Sequence, residues 1–212
     1  MTSLVVLGAG GLARILVDAL RARGLSVVGF VTNISETAIG VMAGIPRLGT
    51  DDEVLARGPA GVSLVNGIGS IRVDDRRRAV FERFRARGFA FAQVIHPAAV
   101  VAADTAIGEG AQIMAGAILQ PGVRVGVNAL VNMGALIDHD CRIGDHVHVA
   151  PGAGLAGDVQ VGDAAFVGMG ARVLSQIHVG ERATIAAGAI VTADVADGAT
   201  VMGIPARAKL SG

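Results

Sequence analysis

The chain has 212 residues, half of them hydrophobic but mostly small, with 31 glycines, no Trp and no Tyr. Eighteen basic side chains balance 18 acidic ones, which excludes an overall field that would collect nucleic acid or an anionic membrane; no apolar run approaches the roughly 20 residues that a bilayer span needs. A single cysteine, Cys141, excludes an internal disulfide and a thiolate metal cluster.

The opening, Met1-Thr2-Ser3-Leu4-Val5-Val6-Leu7-Gly8, has no basic leader and no cleavage pattern, so a cytoplasmic protein is expected. Residues 4–7 form a continuous apolar run, the mark of a strand buried on both faces. Gly8-Ala9-Gly10-Gly11 follows, and then a helical stripe of Ile15, Leu16, Ala19 and Leu20 that Gly24 ends. Residues 26–31 read as a second strand. A glycine-rich first turn in a β-α-β unit lets backbone approach a ligand and offers free helix amides to a phosphate. The dinucleotide fingerprint is incomplete: Ala13 stands at the third glycine position, and Thr32-Asn33 stands where an acidic residue would grip a ribose. A phosphorylated or nucleotide-linked ligand fits this turn better than NAD, and a purely structural tight turn is the other reading.

Residues 45–49 read as a turn, with Thr50 or Asp51 capping a short helix through Glu53, Val54 and Leu55. Residues 62–65 form a strand that ends in the loop Asn66-Gly67-Ile68-Gly69. Asp74 is the expected cap of a helix reaching Arg87, with Val80, Phe81 and Phe84 inward. The arginine runs at 76–78 and 83–85 read as its solvated face. Gly88 stops it, and residues 89–94 read as a final strand. Five of the six Phe residues lie in this half, which gives it a conventional core.

From Val101 the chain cuts into sixes with nothing left over. Sixteen sixes in succession, the last led by Val191, all begin with Val, Ile or Leu. Small residues fill the fifth place and turn residues the third and fourth. Six suits neither a long strand nor a helix, but three sixes close one triangular coil of 18. The expected fold is therefore a small N-terminal α/β, Rossmann-like domain over 1–93, followed over 94–212 by a parallel β-helix of about five coils. The leaders and Cys141, at a fifth place, point inward. The chain is expected to leave the prism after Val195. Flat faces that still carry Ala, Val and Met suggest packing against other copies of the chain.

Asp138-His139-Asp140 is the first candidate for chemistry. His139 occupies a third, outward-facing place, and an adjacent carboxylate fixes an imidazole's tautomer and raises its basicity. That suits a general base; a polar solvated turn is the alternative. His148, nine residues on, sits on another side, so the two imidazoles diverge in one chain and would meet only between packed prisms. Gly157, one coil above His139, is expected to open a groove beside the ring for a thin ligand arm. No metal is expected, because the histidines lie on different sides.

The hexapeptide stretch and Val131-Asn132-Met133-Gly134-Ala135-Leu136-Ile137-Asp138-His139-Asp140-Cys141 resemble the left-handed β-helix acyltransferases. More narrowly, they resemble the sugar O- and N-acetyltransferases related to the sialic acid O-acetyltransferase and to the bacillosamine-pathway and perosamine N-acetyltransferases. Gly8-Ala9-Gly10-Gly11, Ile95-His96-Pro97 and the ending 201–207 share the likeness. The resemblance implies a homotrimer with acetyl-CoA between neighbouring prisms, His139 as base and Asp140 tuning it. His148 would contact the thioester end, with the pantetheine arm passing Gly157, Met169 and Ala187. Asn132 would lie near the acceptor sugar. A nucleotide-sugar would bind near Gly10, Gly11, Leu12 and Gly67. Leu12 stands where members often carry His, and Thr32-Asn33 where they often carry a carboxylate. Two other readings of the same prism are a non-catalytic trimeric sugar-binding or assembly protein and a zinc enzyme of the carbonic-anhydrase type.

Overall fold

The computed structural model describes residues 3–33, 42, 44–69 and 75–209. The chain divides into two compact units, one of Met1–Ser70 with Asp74–Pro97 and one built on Ala98–Gly212.

In the first unit the elements run β1 (Ser3–Leu7), α1 (Gly11–Ala22), β2 (Val27–Val31), β3 (Arg47–Gly49), α2 (Asp51–Arg57), β4 (Val62–Asn66), α3 (Arg76–Arg85) and β5 (Ala90–Phe91). The five strands are parallel, in the order β3-β2-β1-β4-β5. The order reverses between β1 and β4, the point where open α/β sheets hold ligands. Helix α1 buries Ala13, Leu16, Val17 and Leu20 on one stripe, each large side chain contributing about 1.5–3 kcal/mol. Phe81 and Phe84 of α3 pack on Phe91 and Phe89, with ring centroids 4.2 and 5.3 Å apart.

Several local expectations change. Residues 47–49 form an edge strand instead of a turn: Phe30 N donates to Pro46 O and Thr32 N to Gly49 O, so Pro46 stands where no donor is needed. Thr50 is the cap of α2, in a reciprocal box with Glu53. The expected cap Asp74 lies outside the described residues; the N-cap is Asp75, whose side chain makes no capping bond. The single strand expected over 89–94 is two short ones, β5 and Val94–Ile95. Arg77, read as part of a solvated face, is 4% exposed, for a reason given below.

The second unit is a left-handed parallel β-helix. Its strands are two residues long, the first facing out and the leader facing in. Parallel partners lie 18 residues apart, as in Ile118 with Leu136, Arg124 with Arg142 and Leu130 with His148. The first face carries Leu136–Ile137 and its stack, the second Arg142–Ile143, and the third His148–Val149. Every leader from Ile113 to Val191 is buried, and so is every fifth-place residue from Ala111 to Val195. The corners are left-handed: at each fourth place from Gly110 to Gly188, φ lies between 54° and 79°. Seven of these residues are not glycine, among them Asn128, Asp140, Asp158 and Ala164.

The last coil is two residues short. Val179 bridges Val195, and Thr184 pairs with Thr200. The chain therefore does not leave the prism after Val195. It continues on the third face through Thr200–Met202 and then turns back as the antiparallel strand Arg207–Ala208. Buried Val195 and Val201 take the inward places that the strict period assigns to other residues.

Candidate active site

His139 stands at the third place of the corner between the first and second faces. Its side chain is 61% exposed, and Nδ1 lies 2.9 Å from Asp140 Oδ2. Asp140 has φ 60°, which turns its carboxylate back toward the coil below. Asp138 Oδ1 accepts the His139 backbone N–H at 2.8 Å, which fixes the peptide. The Asp140 hydrogen bond first, and then the charge of Asp138, with smaller pulls from Asp140 and Asp158, raise the His139 pKa above its ordinary 6.5. With Nδ1–H committed to Asp140, Nε2 is the basic nitrogen.

Gly157, expected to leave room beside the ring for a ligand arm, leaves that room to the ring itself. A Cβ built at Gly157 would lie 2.5 Å from Nε2 and 2.7 Å from Cε1 of His139. The imidazole itself fills the space that the missing side chain leaves.

His148 lies on the third face, 7% exposed, edge-on to Phe166 at 5.1 Å. Asn132 Oδ1 accepts Met133 N at 2.8 Å, so its Nδ2, 3.2 Å from His148 Nε2, is the donor there. That makes Nε2 the acceptor of this bond. The third face is opposite the His139 corner, so the two imidazoles diverge within one chain. Asn132 is brought together with His148, not with His139.

Gly157 shares the His139 corner, whereas Met169, 61% exposed, and Ala187 share the corner between the third and first faces. Between these corners the first face holds an apolar groove of about 650 Å³ lined by Ile118, Leu136, Leu155, Leu174 and Ile190. Arg172 lies across Gly154 and donates to the carbonyls of Gly152 and Ala171.

Cys141 is buried, as its fifth place implied. Its Sγ donates to Ala156 O at 3.1 Å, and burial pushes the thiol up to about 11. It supplies no thiolate at neutral pH. Among the described residues no group of three metal-ligating side chains converges.

In the α/β unit, the loops after β1 and β4 meet at the switch point. A Cβ at Gly10 or Gly11 would touch nothing within 4 Å. The first turn of α1 has no acidic residue and no side-chain cap, so none of its amides is taken by a capping side chain. Gly67 has a packing reason instead: a Cβ there would lie 2.7 Å from Leu7 O and 2.8 Å from Ala13 Cβ. Leu12 lies across from Gly69, 3.5 Å from where a Cβ would be. Asn33, in the place of a ribose-gripping carboxylate, binds the start of α2: it donates to Asp51 Oδ2 at 3.0 Å and accepts Asp51 N at 3.1 Å.

Sequence reasoning missed three groups. Arg77 donates through one nitrogen to Asn66 O at 2.8 Å and Ile68 O at 3.1 Å, while Asn66 donates to Arg77 O at 3.0 Å. These bonds hold the β4 loop, and burial lowers the guanidinium to about 9, still charged at neutral pH. The signal was available, because Arg77, Phe81 and Phe84 share one helical stripe. Asp158 and Phe166 were each legible as the residue 18 beyond Asp140 and His148.

Residues 3–84 match the family model described as the PglD N-terminal domain. Among solved structures, a His-to-Asn variant of perosamine N-acetyltransferase from Caulobacter crescentus, in complex with CoA and GDP-perosamine, is 34% identical over 100% of this chain and 98% of that one, with a TM-score of 0.88. The acetyltransferase domain of PglB from Neisseria gonorrhoeae FA1090, in complex with acetyl coenzyme A, is 33% identical over 98% of each chain, with a TM-score of 0.90. WeeI from Acinetobacter baumannii AYE is 26% identical over 99% of this chain and 100% of that one, at 0.87. The chain belongs to the hexapeptide-repeat sugar acetyltransferases. Among curated proteins none matches it. The family accounts for both halves at once, a glycine-rich α/β unit and a prism with an imidazole on its corner. No helix of the described residues is long and apolar enough to cross a membrane.

Proposed function

We propose that this family member transfers the acetyl group of acetyl-CoA to the amine of a nucleotide-linked amino sugar, with His139 as general base and Asp140 as its partner. The observation that carries the reading is the exposed His139 imidazole, 2.9 Å from Asp140 and among the carboxylates of Asp138, Asp140 and Asp158. Such a setting favours a cationic amino group over an anionic acceptor. The relatives named for N-acetyl transfer support the same choice.

The acceptor enters as its ammonium form and loses one proton to solvent, and the neutral nitrogen then attacks the thioester carbonyl. His139 Nε2 takes the proton that the nitrogen sheds and returns it to the sulfur as the carbon–sulfur bond breaks. CoA leaves as the thiol and the amide remains on the sugar. Cys141 takes no part, so no acyl-enzyme forms. The open space at Gly10 and Gly11, with the amides of α1, suits the phosphates of the nucleotide, and Leu12 and Gly67 border it. The active unit is a homotrimer: His139 of one prism meets His148 and Asn132 of a neighbour, with the pantetheine arm along the corners that carry Gly157, Met169 and Ala187. This arrangement answers the divergence of the two imidazoles within one chain.

The test is thiol release from acetyl-CoA against UDP-, GDP- and CMP-linked sugars, with and without an amino group, read with product mass. One acetyl group added to an amino sugar only is the expected result. Acetylation of a hydroxyl sugar instead would overturn the amine assignment. CoA binding with no turnover on any nucleotide-linked sugar would overturn the nucleotide-linked acceptor.

A further inference from the structure

We propose that Gly122, one coil below His139, is a positioning residue whose missing side chain seats the Asp140 carboxylate and thereby orients the imidazole. The inference rests on the reading of His139 as the general base.

Gly122 occupies a fourth place, with φ 79°. In its own corner the places above it hold Asp140, Asp158 and Gln176, at φ 60°, 60° and 63°. The turn alone therefore does not demand glycine in this column. What demands it is the carboxylate. A Cβ at Gly122 would lie 2.3 Å from Asp140 Oδ1, 3.2 Å from its Cγ and 3.3 Å from its Cα. Gly122 cannot retreat freely, because its N–H donates to Asp104 Oδ2 at 2.9 Å in the coil below. The carboxylate is planar and rigid. When Oδ1 is displaced, Oδ2 leaves its 2.9 Å contact with His139 Nδ1. The ring rests on Gly157 in the coil above, so glycines in two coils hold the dyad from opposite sides.

The corner between the third and first faces supplies the contrast. Gly134, Gly152, Gly170 and Gly188 have the same left-handed backbone, and a Cβ on any of them would meet nothing within 4 Å. Those glycines serve the turn, whereas Gly122 serves Asp140. The charged groups facing His139 are Asp138 and Asp140 on its own corner and Asp158 from the coil above. The coil below presents Pro121 and Gly122.

The experiment compares Gly122→Ala with Gly198→Ala, which has φ 66° and open space around it. The readouts are kcat, KM for acetyl-CoA, the pH profile of kcat/KM, and Tm. Gly122→Ala should lower kcat by up to about 100-fold, the cost of displacing a catalytic group by about 1 Å. KM for acetyl-CoA should stay put, and the acid limb should move to lower pH as His139 loses its largest upward pull. Gly198→Ala should keep both rate and profile. Added to Asp140→Ala, Gly122→Ala should cost nothing more, since it acts through that carboxylate. Wild-type kcat and profile in Gly122→Ala, equal losses in both glycine variants, or full additivity with Asp140→Ala would each overturn the proposal. If Gly122→Ala loses Tm, the limb still decides, because fewer folded molecules scale the rate without moving it. Full activity in His139→Ala would instead sink the general-base reading.

Discussion

Two corners of one prism spend their carboxylates differently. Between the second and third faces, Asp145 Oδ1 accepts Val127 N at 2.7 Å, Asp163 Oδ1 accepts Asp145 N at 2.8 Å, and Asp197 Oδ1 accepts Glu181 N at 2.8 Å. Each acid stands at the third place of its turn and binds the amide one coil below. The glycines before the turn make room: a Cβ at Gly126, Gly144 or Gly180 would lie 2.4–2.5 Å from the next coil's carboxylate. In the His139 corner the imidazole holds the third place, and its acids sit one residue to either side. Asp140, at the left-handed fourth place, meets a side chain where Asp145 meets backbone. In this coil, one step along the turn moves a carboxylate from holding coils together to tuning a base, whereas Asp104, two coils below Asp140, still accepts a backbone N–H, that of Gly122.

His139→Ala should lower kcat by about 10²- to 10⁴-fold with Tm unchanged, because the ring is exposed and its contacts are polar. Next in size, Asp140→Asn should cost about 100-fold and shift the acid limb of kcat/KM to lower pH. The sign follows from the working form: the base is neutral imidazole, the Asp140 hydrogen bond raises its pKa, and removing the charge lets it deprotonate at lower pH. A limb that stays fixed would remove Asp140 from the dyad. In the other corner, Asp163→Ala leaves the Asp145 amide without its acceptor. It should lower unfolding free energy by about 0.5–1.5 kcal/mol in a denaturant titration and leave kcat unchanged. A large rate loss there with little change in stability would erase the distinction. Smallest of all, a thiol reagent should leave native Cys141 unmodified and the rate intact, since the thiol is buried and pushed up to about 11.

Most of the prism was legible because its period is strict. Sixteen apolar leaders fixed the inward columns, the outward place of His139 and the inward place of Cys141. What the period concealed is instructive. The left-handed fourth places are plain where glycine occupies them, but His146, Ala164 and Arg182 adopt the same φ and carry no such mark. The shortened last coil hid because Val191 keeps the rhythm and Val195 then arrives four residues later. In the α/β unit, Arg77 reads as surface because its neighbours are charged, although its spacing to Phe81 and Phe84 aims it inward. The seating of His139 on Gly157 depends on side-chain direction, which spacing alone does not give.

The two residues missing from the last coil, and the strand that turns back after it, also answer a question of growth. A stack of identical parallel coils ends in a row of unpaired amides and carbonyls, an invitation to endless end-to-end addition. Here Arg207–Ala208 runs antiparallel on Thr200–Met202, with Arg207 and Lys209 exposed beside it. A further coil arriving on that edge would find the wrong direction, a register out by two, and positive charge. The same feature that spoils the repeat covers one of the three sheet edges at the end of the stack.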